Sequence, residues 1–142
     1  MLGISLVDPS TVVAQIFAIA PITDGKLDHA KYPIPAADSV NIDTKNEVIL
    51  ARSNGNVYAF ALACPHQNTA LRWLQKDGRF QCPKHKSKYS STGEFLNGRA
   101  TRNMDRLPIA LEGNLVSVDI IHEIRSDQDA AGWAAAVVKV PV

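Results

Sequence analysis

Both cysteines of this 142-residue chain lie in one short stretch, and a histidine follows each of them closely. The first pair is Cys64-Pro65-His66, and after a gap of fifteen residues the second is Cys82-Pro83-Lys84-His85. Each pair offers a thiol and an imidazole, which are side chains that hold transition metals in proteins. The stretch therefore predicts one metal centre closed from two sides, and it leaves no thiol for a different task.

Four kinds of site use these residue types. A structural zinc site usually takes its two cysteines first and its two histidines afterwards, whereas the two types alternate here. A disulfide between Cys64 and Cys82 leaves the histidines unexplained, and a Cys–His catalytic dyad needs only one pair. In a Rieske [2Fe–2S] centre, two cysteines hold one iron and two histidines hold the other. The alternation favours this centre and leaves zinc as the second candidate.

The sequence around the four residues resembles the Rieske iron–sulfur protein family. The resemblance covers roughly residues 45 to 118. It implies one [2Fe–2S] cluster, with Cys64 and Cys82 as ligands of one iron and His66 and His85 as ligands of the other. The matching segments are 64–69 (CPHQNT), 82–89 (CPKHKSKY), Gly93, 98–103 (GRATRN) and Leu107-Pro108.

Two hydroxyl residues in the second segment also match the family. Ser87 and Tyr89 align with positions that, in the Rieske subunits of cytochrome bc-type complexes, hydrogen-bond a bridging sulfide and the sulfur of the first ligand cysteine. The resemblance therefore implies that both side chains bind the cofactor as hydrogen-bond donors.

Two departures from the bc-type pattern concern the surroundings of the cluster. Those subunits carry an extra cysteine in each ligand loop, joined as a disulfide, and the matching residues here are Thr69 and Lys84. Their Gly-Pro-Ala-Pro covering loop reads Gly98-Arg-Ala-Thr101 in this chain. The absent bridge is typical of Rieske-type ferredoxins, whereas the Ser and Tyr donors are typical of bc-type subunits, so the sequence combines features of both.

Charge is unevenly distributed, although the formal net charge is only +1. The segment from Cys64 to Arg106 has nine basic and three acidic residues, so it carries +6 while the remainder carries −5. This asymmetry predicts that redox partner proteins dock here through an acidic surface, and the small overall charge argues against nucleic acid. The basic residues are Arg72, Lys76, Arg79, Lys84, Lys86, Lys88, Arg99, Arg102 and Arg106.

Neither a membrane span nor a targeting signal is evident. The chain has no run of about eighteen apolar residues, which a transmembrane helix requires. The first residues lack the basic segment of a secretory signal. Cysteines that serve as ligands fit a reducing compartment. The sequence therefore favours the cytoplasm, or the periplasm if a leader has been removed.

Short apolar segments separated by turn residues predict an all-β fold. We expect a Rieske-like antiparallel β-sandwich or partly open barrel in which residues 1–142 form a single domain and residues 63–106, approximately, form a cluster-binding loop subdomain. Ser53-Asn-Gly-Asn56 between two apolar runs predicts a tight hairpin. A short helix is expected over 130–137, because Ser126-Asp-Gln-Asp129 offers an N-cap.

Other segments are less regular. Residues 11–22 are apolar and β-branched, which favours a strand over a helix. Residues 31–42 contain Pro33 and Pro35 and predict an edge strand or an extended arm. Residues 68–74 are expected to make one helical turn, and 79–81 a strand that leads into Cys82.

The function that follows is one-electron transfer rather than catalysis on a substrate of the chain's own. His29 and His122 lie far from the metal motif and are expected to be exposed polar residues. An oxygenase would need a further His/His/carboxylate iron site, and neither histidine has a second one nearby. We therefore expect a ferredoxin or the iron–sulfur subunit of a larger oxidoreductase, with a zinc-stabilised Cys₂His₂ binding module as the alternative.

Overall fold

The computed structural model describes residues 15–18, 28–66 and 68–141, and over these ranges the chain is mostly β-strand with one short helix. The elements are β1 Gln15–Ala18, β2 His29–Pro33, β3 Ser39–Asp43, β4 Val48–Ser53, β5 Asn56–Ala61, β6 Arg72–Leu74, β7 Arg79–Gln81, β8 Lys88–Tyr89, β9 Phe95–Asn97, β10 Ile109–Glu112, β11 Leu115–Asp119, α1 Ala130–Ala135 and β12 Val138–Lys139.

The described strands form three sheets, with the orders β1-β3-β4-β5-β12, β10-β11-β2 and β6-β7-β8-β9. Every pairing is antiparallel except that of β1 with β3. The predicted all-β class with a short C-terminal helix is confirmed. Over the described ranges the sheets stay open and do not close into a barrel.

The β4–β5 hairpin is the centre of the molecule. Its turn residues Asn54 and Gly55 have φ angles of 53° and 77°, as a two-residue turn with both centres in the left-handed region requires. Alternate residues of β5 enter different cores, with Tyr58 and Phe60 in one and Val57 in the other. Because both faces of the hairpin are buried, its strands are apolar throughout and do not alternate apolar with polar residues.

Each core supports a different part of the fold. The first contains Cys64 and Cys82 together with the aromatic side chains of the small β6–β9 sheet. The second joins the β10-β11-β2 sheet to the central hairpin through residues such as Val116 and Leu50. A buried hydrogen bond of 2.7 Å from the Tyr32 hydroxyl to Asp43 also links these two sheets. The first core is therefore the part that positions the metal motif.

One local prediction was confirmed only in part, and another was wrong. The edge strand predicted within residues 31–42 is present as β2, which lies at the edge of its sheet and ends at Pro33, but β3 lies inside its sheet between β1 and β4. Residues 68–74 contain no helical turn. Asn68 has a positive φ of 54°, and Arg72–Leu74 pair with β7 as a strand. In both places, pairing with a distant strand decided the conformation.

Other local predictions hold. The strand expected within 11–22 is confirmed at Gln15–Ala18, and the remainder of that segment lies outside the described residues. The expected helix runs from Ala130 to Ala135, and the side chain of Asp129 accepts the Gly132 N–H as its N-cap. Among the described residues, no helix has the length and apolar character needed to cross a membrane.

Candidate metal centre

The first ligand loop follows the central hairpin after only a few residues. Ala63 forms a β-bridge with Ala70, so the two ends of the loop are held side by side. Inside it, the Cys64 N–H donates to the Thr69 carbonyl at 2.7 Å, and the Asn68 N–H donates to the Cys64 carbonyl at 2.8 Å. These bonds close a compact turn that holds the Cys64 thiol inward.

The second loop repeats this construction. The Cys82 N–H donates to the Ser87 carbonyl at 2.9 Å, and the Lys86 N–H donates to the Cys82 carbonyl at 2.9 Å. Lys86 has a φ of 61°, and Asn68, also four residues after its cysteine, has a φ of 54°. Strand β7 ends directly before Cys82, so this loop is also carried by a sheet. Two loops of the same backbone design therefore present the four predicted ligands.

The two cysteines of the site are more deeply buried than its two histidines. Cys64 and Cys82 are 1% and 0% exposed, and both are free thiols rather than a disulfide. His66 and His85 are only partly buried, and their ring centroids lie 5.2 Å apart at an interplanar angle of 71°. The structure thus brings the two histidines together at the rim, while both cysteines lie in the first core.

This arrangement fits a [2Fe–2S] cluster. The Nδ1 atom of His66 is buried and has no hydrogen-bond partner, which is costly for a polar atom unless a metal binds it. Among the described residues, no three His, Cys, Asp or Glu side chains are grouped around a point where one ion would bind them all. A Rieske cluster requires two pairs instead, since each iron takes two protein ligands.

Tyr89 lies against the first ligand. Its hydroxyl oxygen is 3.4 Å from the Cys64 sulfur, and its side chain is fully buried. Burial raises the pKa of Tyr89 far above its usual value, and the hydrogen bond to Cys64 and the nearby charges of both cysteine sulfurs raise it further. The hydroxyl therefore keeps its proton over the working pH range and has it available for a sulfur acceptor.

Ser87 is held on the other side of the second loop. Its hydroxyl oxygen accepts the backbone N–H groups of Arg99 and Ala100, both at 3.1 Å. A hydroxyl has two acceptor positions and one proton, so Ser87 can still donate its proton, and the Tyr89 hydroxyl is one acceptor within its reach. Gly98 makes this approach feasible, because a Cβ built there would lie 2.5 Å from the Ser87 Cα.

The rim of the site is cationic. Burial lowers the pKa of His85, and the neighbouring Arg99, His66 and Lys84 side chains lower it further. Lys84, Lys86 and Arg99 are exposed, and none of them belongs to an ion pair within the described part of the chain.

Not all nine basic residues of the segment belong to that surface. Arg79 pairs with Asp77 at 3.6 Å. Arg102 pairs with Asp105 at 2.8 Å, and Arg106 is buried. Fewer cations are therefore exposed and outside an ion pair than the charge count suggests.

A second polar feature beside His66 had no signal in the sequence. Arg102, Asp105 and Glu123 line a cavity of about 360 Å³ that also reaches Cys64 and His66. Burial raises the pKa of Glu123, and the neighbouring Asp105 carboxylate raises it further. Only folding brings residues 102–105 next to residue 123, through the antiparallel bridge between residues 106 and 124.

His29 and His122 lie away from the ligand loops, as expected. Each bonds an aspartate: His29 Nδ1 lies 3.2 Å from Asp28, and His122 Nδ1 lies 2.8 Å from Asp119. His122 is exposed, whereas His29 is partly buried. Although His29 is the cross-strand partner of Asp119, this group does not form a three-ligand ion site among the described residues.

The chain is similar to known iron–sulfur proteins. A family model for the Rieske [2Fe-2S] domain matches residues 27–115. The cytochrome b6-f complex iron-sulfur subunit of Chlorobaculum thiosulfatiphilum is 26% identical over 74 residues, which are 52% of this chain and 41% of that protein. The chain thus spans less than half the length of that relative.

Two further proteins are similar. The 3-phenylpropionate/cinnamic acid dioxygenase ferredoxin subunit of Escherichia coli strain K12 is 28% identical over 90 residues, covering 61% of this chain and 85% of that protein. The crystal structure of the cyanobacterial plasma membrane Rieske protein PetC3 from Synechocystis PCC 6803 has a TM-score of 0.47 at 26% identity, covering 56% and 83% of the two chains. On the family match, this chain belongs to the Rieske [2Fe-2S] domain family, so its cofactor is a [2Fe–2S] cluster and its chemistry is electron transfer.

Proposed function

We propose that Cys64 and Cys82 ligate one iron of the cluster and that His66 and His85 ligate the other. The observation that carries this assignment is the segregation of the donors, with two buried free thiols beneath two adjacent imidazoles. The unpartnered Nδ1 of His66 is then the atom that binds iron, and Nε2 is left for solvent or a partner. When bound, the cluster supplies reversible one-electron chemistry.

The protein around the site has three tasks in this proposal. The first core excludes water from both thiolates, which limits hydrolysis and lowers the local dielectric constant. Tyr89 would donate to the Cys64 sulfur, and Ser87 would donate to a sulfur atom of the bound cluster. The two imidazoles at the rim provide the shortest route for an electron to enter or leave.

The partner is proposed to be a redox protein with an acidic docking surface. Exposed Lys84 and Lys86 flank His85, and Arg99 is close enough to affect its pKa. These cations lack carboxylate partners within the described part of the chain, so an acidic protein would meet charges that are not already neutralised. We further propose that residues 1–142 act as one domain, with residues 63–106 as its cluster-binding part.

Metal analysis of the purified protein tests this function. We expect two irons and two acid-labile sulfides per chain, a red-brown colour and a Rieske electron-paramagnetic-resonance signal after reduction. A colourless protein with one zinc would contradict the proposal. Cys82→Ser should abolish the signal, because the thiolate is required for ligation. Ser90→Ala is a matched control, since its hydroxyl bonds Thr92 and Glu94 within a turn outside the two loops.

A further inference from the structure

Arg106 is a buried cation without a carboxylate partner. The residue is 4% exposed, and the ion pairs of the described residues do not include it. Its Nη1 donates to the Trp133 carbonyl at 2.7 Å and its Nη2 to the Thr92 carbonyl at 2.8 Å, while Nε is buried without a partner. Asp105, next in sequence, is already bound by Arg102 through two hydrogen bonds.

Aromatic rings surround the guanidinium group. Its central carbon lies 3.6 Å from the ring centroid of Trp133, 4.6 Å from that of Tyr58 and 5.9 Å from that of Phe60. Cation–π contacts and carbonyl groups hold the charge in place but do not cancel it. Burial lowers the pKa of Arg106, and Tyr58 and Glu94 offset part of this effect. A guanidinium group nevertheless remains protonated in proteins.

The charge faces the metal motif through a dry part of the molecule. The Phe60 ring is 5.7 Å from the Phe80 ring, and Phe80 lies two residues before Cys82 on β7. Phe80 also pairs with Tyr89, whose hydroxyl is 3.4 Å from the Cys64 sulfur. All of these rings and both cysteines belong to one buried core. Water therefore does not screen the field of Arg106 along this path.

The opposite side of Arg106 borders a cleft of about 310 Å³. Glu94 and Lys139 both line this cleft, and their charges have opposite signs. Neither of them is buried, so solvent screens both. Glu94 therefore compensates the charge of Arg106 only in part.

We propose that Arg106 raises the reduction potential of the cluster by supplying an incompletely compensated positive charge against the core that holds the ligands. The proposal rests on the ligand set proposed above. Reduction adds one negative charge, so a fixed positive charge nearby favours the reduced form. At an effective dielectric constant of about 20, a unit charge that lies within roughly 12 Å of a redox centre changes a one-electron equilibrium tenfold or more. This factor corresponds to ~59 mV.

The test separates the charge of Arg106 from its packing. Arg106→Met keeps much of the length and removes the charge, whereas Arg106→Lys keeps the charge and loses the planar contacts. Arg125→Met is the matched control, because it also removes one positive charge but from an exposed residue paired with Asp127. The midpoint potential of each holoprotein is measured by redox titration, and the thermal unfolding of each cluster-free chain is recorded beside it.

We expect Arg106→Met to lower the potential by about 59 mV, the equivalent of tenfold. Arg106→Lys and Arg125→Met should change it by less than a third of that. Both Arg106 variants should unfold at lower temperature, because either loses the Trp133 contacts. Equal potentials for Arg106→Met and the parent would overturn the proposal, as would an Arg106→Lys potential as low as that of Arg106→Met.

A replacement variant and a control measurement distinguish failure of the Arg106 proposal from failure of the ligand assignment. Should Arg106→Met not retain the cluster, Arg106→Gln takes its place, because its amide can still donate to the Trp133 carbonyl. The Rieske resonance signal of the parent is recorded first. Its absence in the parent would contradict the ligand assignment, whereas its presence with an unchanged variant potential would contradict only the role of Arg106.

Discussion

The hydroxyl oxygen of Tyr89 lies 3.4 Å from the sulfur of Cys64, and the two residues are 0% and 1% exposed. A hydrogen bond to a sulfur ligand stabilises the reduced cluster more than the oxidised one, because reduction adds negative charge. Ser87 also has a proton to donate, because its oxygen accepts two backbone N–H groups, and the Tyr89 hydroxyl competes with the cluster for that proton. Both hydroxyls should therefore raise the reduction potential.

We predict that Tyr89→Phe and Ser87→Ala each lower the potential by roughly 40–90 mV without changing the iron content. A hydrogen bond to a charged group contributes about 1.5–3 kcal/mol, and the part that differs between redox states is about 1–2 kcal/mol. The reduction potential of each variant is measured by a redox titration that is monitored by circular dichroism. Shifts below about 15 mV in both variants would mean that the donors are not in place and would favour a ferredoxin-type site.

Tyr32→Phe is the control for this comparison. The Tyr32 hydroxyl is also fully buried and donates to Asp43 at 2.7 Å, but it belongs to the second core rather than to the ligand core. Its loss should reduce the free energy of unfolding by about 1–3 kcal/mol, because Asp43 loses one of its donors. The potential should not change. An equal shift of the potential in Tyr32→Phe and Tyr89→Phe would contradict a specific role for Tyr89.

The close approach of Gly98 to Ser87 gives a prediction about how the Ser87 hydroxyl is held. Its φ of 120° and the 2.5 Å approach to the Ser87 backbone leave no room for a side chain. Gly98→Ala should therefore displace residues 98–100 from the Ser87 hydroxyl, reduce cluster occupancy and speed cluster loss on heating. Iron content after purification and the decay of visible absorbance at raised temperature measure these effects.

Gly113→Ala is the matched control for Gly98. Gly113 also has a positive φ, 62°, but a Cβ at that position meets nothing within 4 Å. The substitution should cost only about 1 kcal/mol of backbone strain and leave the cluster intact. If both variants retained full cluster content and the same rate of loss, the contact between Gly98 and Ser87 would have no part in holding the site.

The features that could be predicted from the sequence are those set by residues close together in the chain. The ligand pairs and the Asn54-Gly55 turn are set by residues a few positions apart, and the structure shows both as compact local units. The inner position of β3 depends on its pairing with β1, and β6 exists because it pairs with β7. Such pairings are not visible in a short window, because tertiary contacts override local propensity.

Side-chain contacts between distant residues could not be predicted from the sequence, for the same reason. Arg106 looked like one of nine surface cations, yet its partner Trp133 lies 27 positions away in the C-terminal helix. Gly98 matched the covering loop of the family, but only the structure shows its backbone against Ser87. Residue type and spacing therefore predict the ligands, whereas the surroundings that tune them require the folded chain.

Asp119 provides a prediction about acid stability. Burial alone would raise the pKa of Asp119, but hydrogen bonds from the His122 ring and from the N–H groups of Ile121 and His122 hold it below its usual value. A lowered pKa in the folded state adds stability above the unfolded-state pKa of about 3.9, and this stability is lost as pH falls through the folded-state value.

Asp119→Ala should accordingly cost about 1–2 kcal/mol in the free energy of unfolding at pH 7. The difference from the parent should shrink below pH 4, where the carboxyl group becomes protonated. Denaturant unfolding at pH 7, 5 and 3 checks this dependence. His122→Ala retains both backbone bonds to Asp119 and should cost less. A difference that stayed the same at pH 3 and pH 7 would argue against a stabilising charged carboxylate.

The exposed cations around His85 predict how electron transfer responds to salt. Lys84→Glu and Lys86→Glu reverse charges at the rim, where an acidic partner would approach. Each should slow association, and raising the ionic strength should diminish the difference from the parent, because screening acts within about 8 Å at physiological salt. Stopped-flow electron transfer to a redox protein with an acidic surface, recorded over a range of salt concentrations, gives the rates. Lys139→Glu is the control, because Lys139 is exposed and far from Cys64 along the sheet. Its strand partner Asn56 is the first residue of β5, whereas Cys64 follows the last residue of that strand. Rates that respond neither to salt nor to the Lys84 and Lys86 changes would show that these lysines do not guide docking, and a Lys139→Glu effect of equal size would show that only net charge matters.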